Sequence, residues 1–75
     1  SMMLIKCRFL KNSLPYGKEY TYRSTEDVKV GDHVQVNPMA KGVVTAVNVP
    51  EEKVAAFADK IRTITGKSEE ENEND

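Results

Sequence analysis

Four valines at even spacing surround a Gly-Asp pair in the middle of this chain, and this segment restricts the possible folds most. The valines are Val28, Val30, Val34 and Val36. β-Branched side chains at period two are typical of a strand, whereas Gly31 permits a positive φ and the Asp32 carboxylate can brace a turn. We therefore predict a sharp turn there that feeds a strand over residues 32–37, with its valines inward and His33 and Gln35 outward.

Two further strands are predicted in the first third of the chain. Over residues 3–10, apolar and cationic side chains alternate, which indicates a half-buried strand. The alternating residues are Ile5, Lys6, Cys7, Arg8 and Phe9. Residues 11–17 contain Asn, Ser, Pro and Gly, which favour a reversal of the chain. Residues 18–23 then predict a second strand, with Tyr20 and Tyr22 on one face.

The strongest strand pattern lies at residues 42–49, after a predicted hairpin loop over residues 37–42. Two sets of side chains could face the core, and the bulkier set is the predicted one. The bulkier set is Val43, Thr45, Val47 and Val49, and the other set is Val44, Ala46 and Asn48.

A change of period after this strand predicts a short helix. Pro50 suits the first helical position, and the two glutamates that follow it suit the positive end of the helix dipole. Val54, Phe57 and Ile61 fall at helical spacing. The β-branched run at residues 61–65 predicts a last short strand, and a helix continuing to Ile64 is the alternative.

Five short strands with a short helix before the last predict a mainly-β fold. A chain of 75 residues has one small core, and a flat sheet would leave both edges open. An SH3-like barrel is therefore predicted, with an OB-like barrel or an α+β fold as alternatives. Residues 3–66 are predicted to form this single domain. Residues 1–2 are predicted to be a tag or initiator remnant, and residues 67–75 an acidic disordered tail.

The composition predicts a binding protein rather than an enzyme. The chain contains one histidine, His33, and one cysteine, Cys7. Cys7 alternates with apolar residues as a core thiol would, and the predicted position of His33 is a surface one. Too few ligands are available for a four-ligand zinc site, and the scattered glycines form no phosphate-cradling loop. We therefore predict no catalytic residues, no metal, no cofactor and no small-molecule substrate.

The same composition predicts the cellular location of the protein. No apolar run approaches the roughly 18 residues that cross a bilayer, so no membrane contact is predicted. Small secreted domains usually contain several disulfides, whereas a lone cysteine forms none within the chain. We therefore predict a cytoplasmic protein.

The charge distribution favours single-stranded nucleic acid as a partner. The net charge of the whole chain is −1, but residues 1–49 carry seven basic and four acidic side chains, a net charge of +3. Small barrels bind single strands through basic grooves with aromatic platforms. The predicted nucleic-acid site combines four cations with one ring on the connecting loop, namely Lys6, Arg8, Lys18, Arg23 and Tyr16. An ordinary solvated strand face is the alternative for these cations.

A protein-interaction role is the competing hypothesis. Leu14 and Met39 lie in predicted loops, where exposed apolar side chains can anchor a protein partner or a second copy of the chain. The alternative for both residues is that they close the ends of the barrel. The chain would then be an assembly subunit with no nucleic-acid contact.

The string YTYRSTEDVKVGDHVQV, followed by KGVVTAV, resembles the N-terminal DNA-binding domain of the primosomal replication-restart helicase. In that family, an aromatic-X-Tyr strand leads to a Val-Gly-X-X-Val-X-Val turn and strand, and then to Gly-Val-Val. The positions that match, within residues 3–49, are Tyr20, Tyr22, Gly31, Val34, Val36, Gly42, Val43 and Val44. The resemblance implies a small DNA-binding barrel.

The sequence departs from that family's pattern in two places. Thr21 stands where the family often carries an acidic residue that helps to hold a terminal nucleotide, and Asn37-Pro38-Met39 stands in place of Pro-Phe-Gly. The Tyr-Thr-Tyr and Val-Gly-Asp strings are also similar to those of short hypothetical proteins of bacterial phages and mobile elements. This second likeness implies no established activity, and we predict a bacterial or phage origin.

Overall fold

One antiparallel sheet dominates the computed structural model, which describes residues 2–68. Its strands are β1 (Met3–Lys11), β2 (Leu14–Ser24), β3 (His33–Asn37), β4 (Ala40–Ala46) and β5 (Gly66–Lys67), with a 3₁₀ helix over Glu51–Lys60. The strand order across the sheet is β2-β1-β4-β3-β5. The mainly-β prediction is confirmed, whereas a barrel is not, because the pairing leaves the sheet open. Within the described residues, no helix is long and apolar enough to cross a membrane.

The β1–β2 hairpin turns more tightly than predicted. Lys11 pairs with Leu14, so the turn consists of Asn12 and Ser13 alone, with φ values of 53° and 66°. Two successive positive φ values give a turn whose twist matches that of the strands it joins. The predicted loop over residues 11–17 is therefore wrong, since β2 already begins at Leu14.

A bulge in β2 lies opposite Arg8. Cys7 pairs with Tyr20 and Phe9 pairs with Tyr16, so residues 17–19 of β2 face the single residue Arg8 of β1. Gly17 takes a φ of 73° here, which a glycine adopts without strain. Bulges bend a strand and re-aim its side chains. This bulge therefore sets the local direction of both strands around Arg8.

The turn before β3 forms as predicted. Lys29 N–H donates to Asp32 Oδ2 and Asp32 N–H donates to Lys29 O, each at 3.0 Å. Gly31 has a φ of 97°, and its N–H donates to Val44 O at 2.9 Å. Val34 and Val36 are buried, as the valine spacing predicts.

The predicted core face of β4 is wrong. Val44 is buried, whereas Val43 pairs with His33 and Arg8 on the outer side of the sheet. The cause is register: the two-residue turn between β3 and β4 fixes the pairing, and pairing outweighs side-chain bulk. The buried core cluster consists of Ile5, Cys7, Val28, Val34, Val36, Val44 and Ile64. The pairing of β4 with β1 shifts by one residue at Thr45, which reverses the alternation of side chains along the chain. Val47 therefore packs against this cluster.

The helix and the last strand differ from their predicted bounds. Pro50 is the N-cap rather than the first helical residue, and the backbone leaves helical geometry at Phe57 (φ −135°, ψ 23°). Among the helix residues only Val54 is buried. The predicted strand over residues 61–65 is wrong, because Thr63 forms only an isolated parallel bridge with Arg23. The alternative of a helix to Ile64 is also wrong.

The sheet continues beyond the predicted end of the domain at residue 66. Lys67 pairs with Val34, and the N–H of the buried Ser68 donates to His33 O at 3.0 Å. Residues 69–75 of the predicted tail and residue 1 of the predicted remnant lie outside the described residues.

Candidate nucleic-acid interface

The face of the sheet opposite the core, called the outer face below, is defined by strand pairing. Residues directly opposite each other in a ladder share a face, and Lys6 and Arg8 alternate with buried residues of β1. Leu4 and Arg23 occupy one end of this face. The other paired residues of the outer face are Lys6, Arg8, Leu10, Pro15, Thr21, His33, Gln35, Lys41, Val43, Ala46 and Gly66.

The paired residues of this outer face carry a net positive charge, and the exposed Glu19 lies beside them in the bulge opposite Arg8. Lys6, Arg8 and Lys41 lie on it, and none of its paired residues is acidic. Lys6 and Arg8 are about 7 Å apart along β1, the distance between alternate residues of a strand. Sequence reasoning missed Lys41, because it placed this residue in the hairpin loop before the predicted strand, whereas β4 already begins at Ala40. The available signal was that Lys41 and Thr45 flank Val43 at even spacing, whereas the alternate residues Gly42, Val44 and Ala46 include no polar side chain.

Arg8 is oriented by the bulge beside it. Its Nε donates to Gly17 O at 2.9 Å, and both Nη atoms lack a partner among residues 2–68. Lys18 lies in the same bulge and is exposed. The structure therefore brings three of the four predicted cations to one part of the β1–β2 hairpin. The guanidinium of Arg8 is the most firmly positioned of them.

Arg23, the fourth predicted cation, is compensated by an acid. Its Nη1 donates to Glu51 Oε2 at 2.9 Å, and its Nη2 donates to Glu51 Oε1 at 3.4 Å. These hydrogen bonds lower the pKa of Glu51 and raise the pKa of Arg23. Its strand partner Leu4 is buried, so this end of the sheet is covered. Arg23 anchors the start of the 3₁₀ helix and adds no net charge to the outer face.

Tyr16 does not join the predicted cations. It lies in β2 opposite Phe9, on the core side of the sheet, rather than in a connecting loop. Lys11 Nζ lies 5.9 Å from its ring centroid. Tyr16 and Met39 both line a pocket of about 420 Å³ between the two hairpin turns, called the hairpin-end pocket below. Met39 is 91% exposed, and Leu14, at the start of β2, is 67% exposed.

A groove runs along the edge of β2 and is called the β2-edge groove below. It has a volume of about 290 Å³ and is lined by Tyr20, Thr21, Tyr22, Phe57, Lys60, Ile61 and Arg62. Tyr22 and Arg62 also line a second depression of about 400 Å³ that extends towards Pro38. Two backbone hydrogen bonds of 2.9 Å, from Arg23 N–H to Arg62 O and from Ile64 N–H to Arg23 O, hold the wall of this groove against β2.

Three aromatic rings line the β2-edge groove. Tyr20 is 44% exposed and Phe57 is 43% exposed. Tyr20 packs against Phe9 with ring centroids 5.8 Å apart and planes tilted by 57°, which supports the ring from the core side. Burial raises the pKa of Tyr22, and the nearby charge of Arg62 opposes that rise. The groove therefore combines supported rings with cations.

Sequence reasoning missed Phe57, Lys60 and Arg62 as site residues. The helical spacing indicated a buried ring at Phe57, whereas the break in the helix leaves that ring half-exposed. Lys60 and Arg62 reach β2 only through the backbone contacts of residues 62–64. Those are long-range contacts that no local pattern predicts.

Cys7 makes the stability of the protein depend on pH. Burial raises the pKa of its thiol from 9.0 to about 11. As pH rises through this range, the unfolded thiol loses its proton before the folded one does, so the free energy of unfolding falls. We expect urea denaturation of the wild type to show this fall between pH 9 and 11. Cys7→Ala should show a smaller fall. Equal pH dependences in the two proteins would contradict the assignment.

Comparisons with protein-family models, with curated proteins and with solved structures return no match. Within residues 2–68, no three His, Cys, Asp or Glu side chains are grouped as metal ligands. The resemblance to the replication-restart helicase domain remains a prediction from the quoted residues.

Proposed function

We propose that this chain is a non-catalytic nucleic-acid-binding module whose outer face contacts phosphates. The observation that carries the proposal is the arrangement of Lys6, Arg8 and Lys41 on one face of the sheet, whose paired residues within the described part of the chain include no acid. Contacts from cations to phosphates provide most of the sequence-independent affinity of nucleic-acid-binding proteins. The helicase-domain resemblance points the same way. A free, buried Cys7 fits a reducing, cytoplasmic location.

Salt dependence of binding tests this proposal. Each phosphate contact to a single strand contributes about −0.7 to the slope of log K against log salt, so three contacts give a slope of about −2. Affinity for a labelled 12-nucleotide single strand should therefore fall roughly 20-fold between 50 and 200 mM NaCl. Fluorescence anisotropy measures this directly. Absence of binding at 50 mM NaCl, or an affinity that does not change with salt, would contradict the proposal.

The hairpin-end pocket supports a second candidate function, which is protein interaction or self-association. The supporting observation is the exposure of Leu14 and Met39 beside a pocket that Tyr16 also lines. This function predicts a mass that rises with concentration in sedimentation equilibrium. Met39→Asp should abolish the rise, whereas charge reversal at Lys6 and Arg8 should leave it unchanged. A single monomeric mass between 10 μM and 1 mM would exclude self-association through this pocket.

Strand addition at β2 is not the route that we expect for such self-association. Pro15 has no N–H to offer to a neighbouring strand, and residues 17–19 bulge out of the ladder. At the other end of β2, the N–H and O of Arg23 are already bonded to Arg62 and Ile64. These three features interrupt the edge along its length.

A further inference from the structure

The β2-edge groove has a composition that the outer face lacks. Aromatic rings line it at Tyr20, Tyr22 and Phe57, and cations line it at Lys60 and Arg62. None of the residues that line this groove is acidic. Within residues 2–68, Lys60 and Arg62 form no side-chain ion pair. The groove therefore offers stacking surfaces and positive charge together, which is the chemistry of an unpaired base with its phosphate.

We propose that the β2-edge groove binds unpaired bases, so that the protein prefers single-stranded nucleic acid to duplex. This inference rests on the proposed function and adds to it the kind of strand that is recognised. Bases in a duplex are stacked on one another and cannot reach a side-chain ring, whereas those of a single strand can. Every base has a flat face, so stacking of this kind requires no particular sequence.

The two most exposed rings of the groove are the ones best placed to stack. Phe57 lies where the backbone leaves the helix, and Tyr20 is supported from the core side by Phe9. A supported ring loses little freedom when a base stacks on it. Arg62 also lines the groove, and a guanidinium can both stack on a base and bond to a phosphate.

Strand pairing connects the groove with the outer face. Thr21 lines the groove and is the direct partner of Lys6, and Cα atoms of such partners are about 5 Å apart. Lys6 is followed by Arg8 along the same strand of the outer face. One single strand can thus place bases in the groove while its next phosphates lie on Lys6 and Arg8. Charge complementarity favours this anionic occupant over a second copy of the chain.

Phe57→Ala separates this inference from the proposed function. Anisotropy titrations at 50 mM NaCl would compare a 12-nucleotide single strand with a duplex of the same sequence. We expect the variant to lose roughly 5- to 150-fold in affinity for the single strand, the range for removal of one stacking ring. Its affinity for the duplex should stay within about twofold of wild type, because duplex contacts use phosphates alone. Phe57→Trp should retain single-strand binding.

Val30→Ala is the matched control, because Val30 is exposed, apolar and outside the groove. It should leave both affinities unchanged, and circular dichroism should show that all variants fold. Equal affinities for single strand and duplex that Phe57→Ala leaves unchanged would overturn this inference and leave the outer-face proposal standing. Self-association that Phe57→Ala abolishes, without a single-strand preference, would assign the groove to a second copy and also overturn it. Binding of neither nucleic acid would overturn both proposals.

Discussion

Replacing Lys6 and Arg8 together with glutamate is expected to lower the affinity for a short single strand by on the order of 50- to 100-fold at 50 mM NaCl. The loss of two phosphate contacts removes the corresponding counterion release, and the new carboxylates repel the strand. The slope of log K against log salt should also become shallower by about 1.4. Anisotropy titrations at several salt concentrations measure both quantities.

A matched pair of substitutions controls for net charge. Lys29→Glu with Lys53→Glu changes the net charge of the chain by the same amount, and both lysines are exposed and outside the outer face. We expect this control to lose less than about fivefold in affinity, because neither lysine lies on the outer face or lines the β2-edge groove, and salt screens charges that make no direct contact with the strand. Equal losses in the two double variants would show that net charge, and not the outer face, governs binding.

Ile5→Ala is expected to lower the free energy of unfolding by about 3 kcal/mol. Ile5 is fully buried in β1 opposite Tyr22, and it belongs to the core cluster with Val34 and Val44. Removal of its outer carbon atoms loses their burial and leaves a cavity that the sheet closes only in part. Urea denaturation followed by circular dichroism measures the change. A domain of this size has a small free energy of unfolding, so a loss of this magnitude should leave the variant partly unfolded at 37 °C.

Two milder variants keep this result interpretable if Ile5→Ala fails to fold. Ile5→Val should cost about 1 kcal/mol, because it removes one methyl group from the same site. Val30→Ala should change stability by less than about 0.5 kcal/mol, since Val30 is exposed. If Ile5→Val and Val30→Ala were equally mild, Ile5 would not lie at the centre of the core.

Those parts of the fold that depend on local chemistry could be predicted from the sequence. The turn before β3 follows from Gly31 and Asp32, whose backbone freedom and carboxylate act within four residues. The alternation in β1 places Cys7 inside and Lys6 and Arg8 outside, as the structure does. In such segments the side-chain pattern and the local hydrogen bonds favour the same structure.

Features that depend on register or on long-range contacts could not be predicted in this way. The bulk of Val43 suggests a core residue, yet its pairing with His33 places it on the outer face. Lys41, two residues earlier in the same strand, lies on that face as well. Tyr16 looks like a loop residue because Pro15 and Gly17 flank it, yet the tight turn at residues 12–13 extends β2 past all three. The first error left Lys41 out of the predicted site, and the second placed Tyr16 in it.

The groove was beyond prediction for a different reason. Its rings come from β2 and from the break in the 3₁₀ helix, and its cations come from the end of that helix and the segment that follows. The contact between Arg23 and residues 62–64 brings these parts together across about 40 positions of sequence. A periodic pattern describes one segment at a time and contains no information about such a contact.

The most direct test of the central claim, that the outer face binds nucleic acid, is a nuclear magnetic resonance titration of the ¹⁵N-labelled protein with a 12-nucleotide single strand. We predict that the largest amide shifts fall on Lys6, Arg8 and Lys41, with further shifts at Thr21 and Phe57 where the β2-edge groove begins. Shifts confined to Leu14, Tyr16 and Met39, or no shifts at a strand concentration of 1 mM, would contradict the claim.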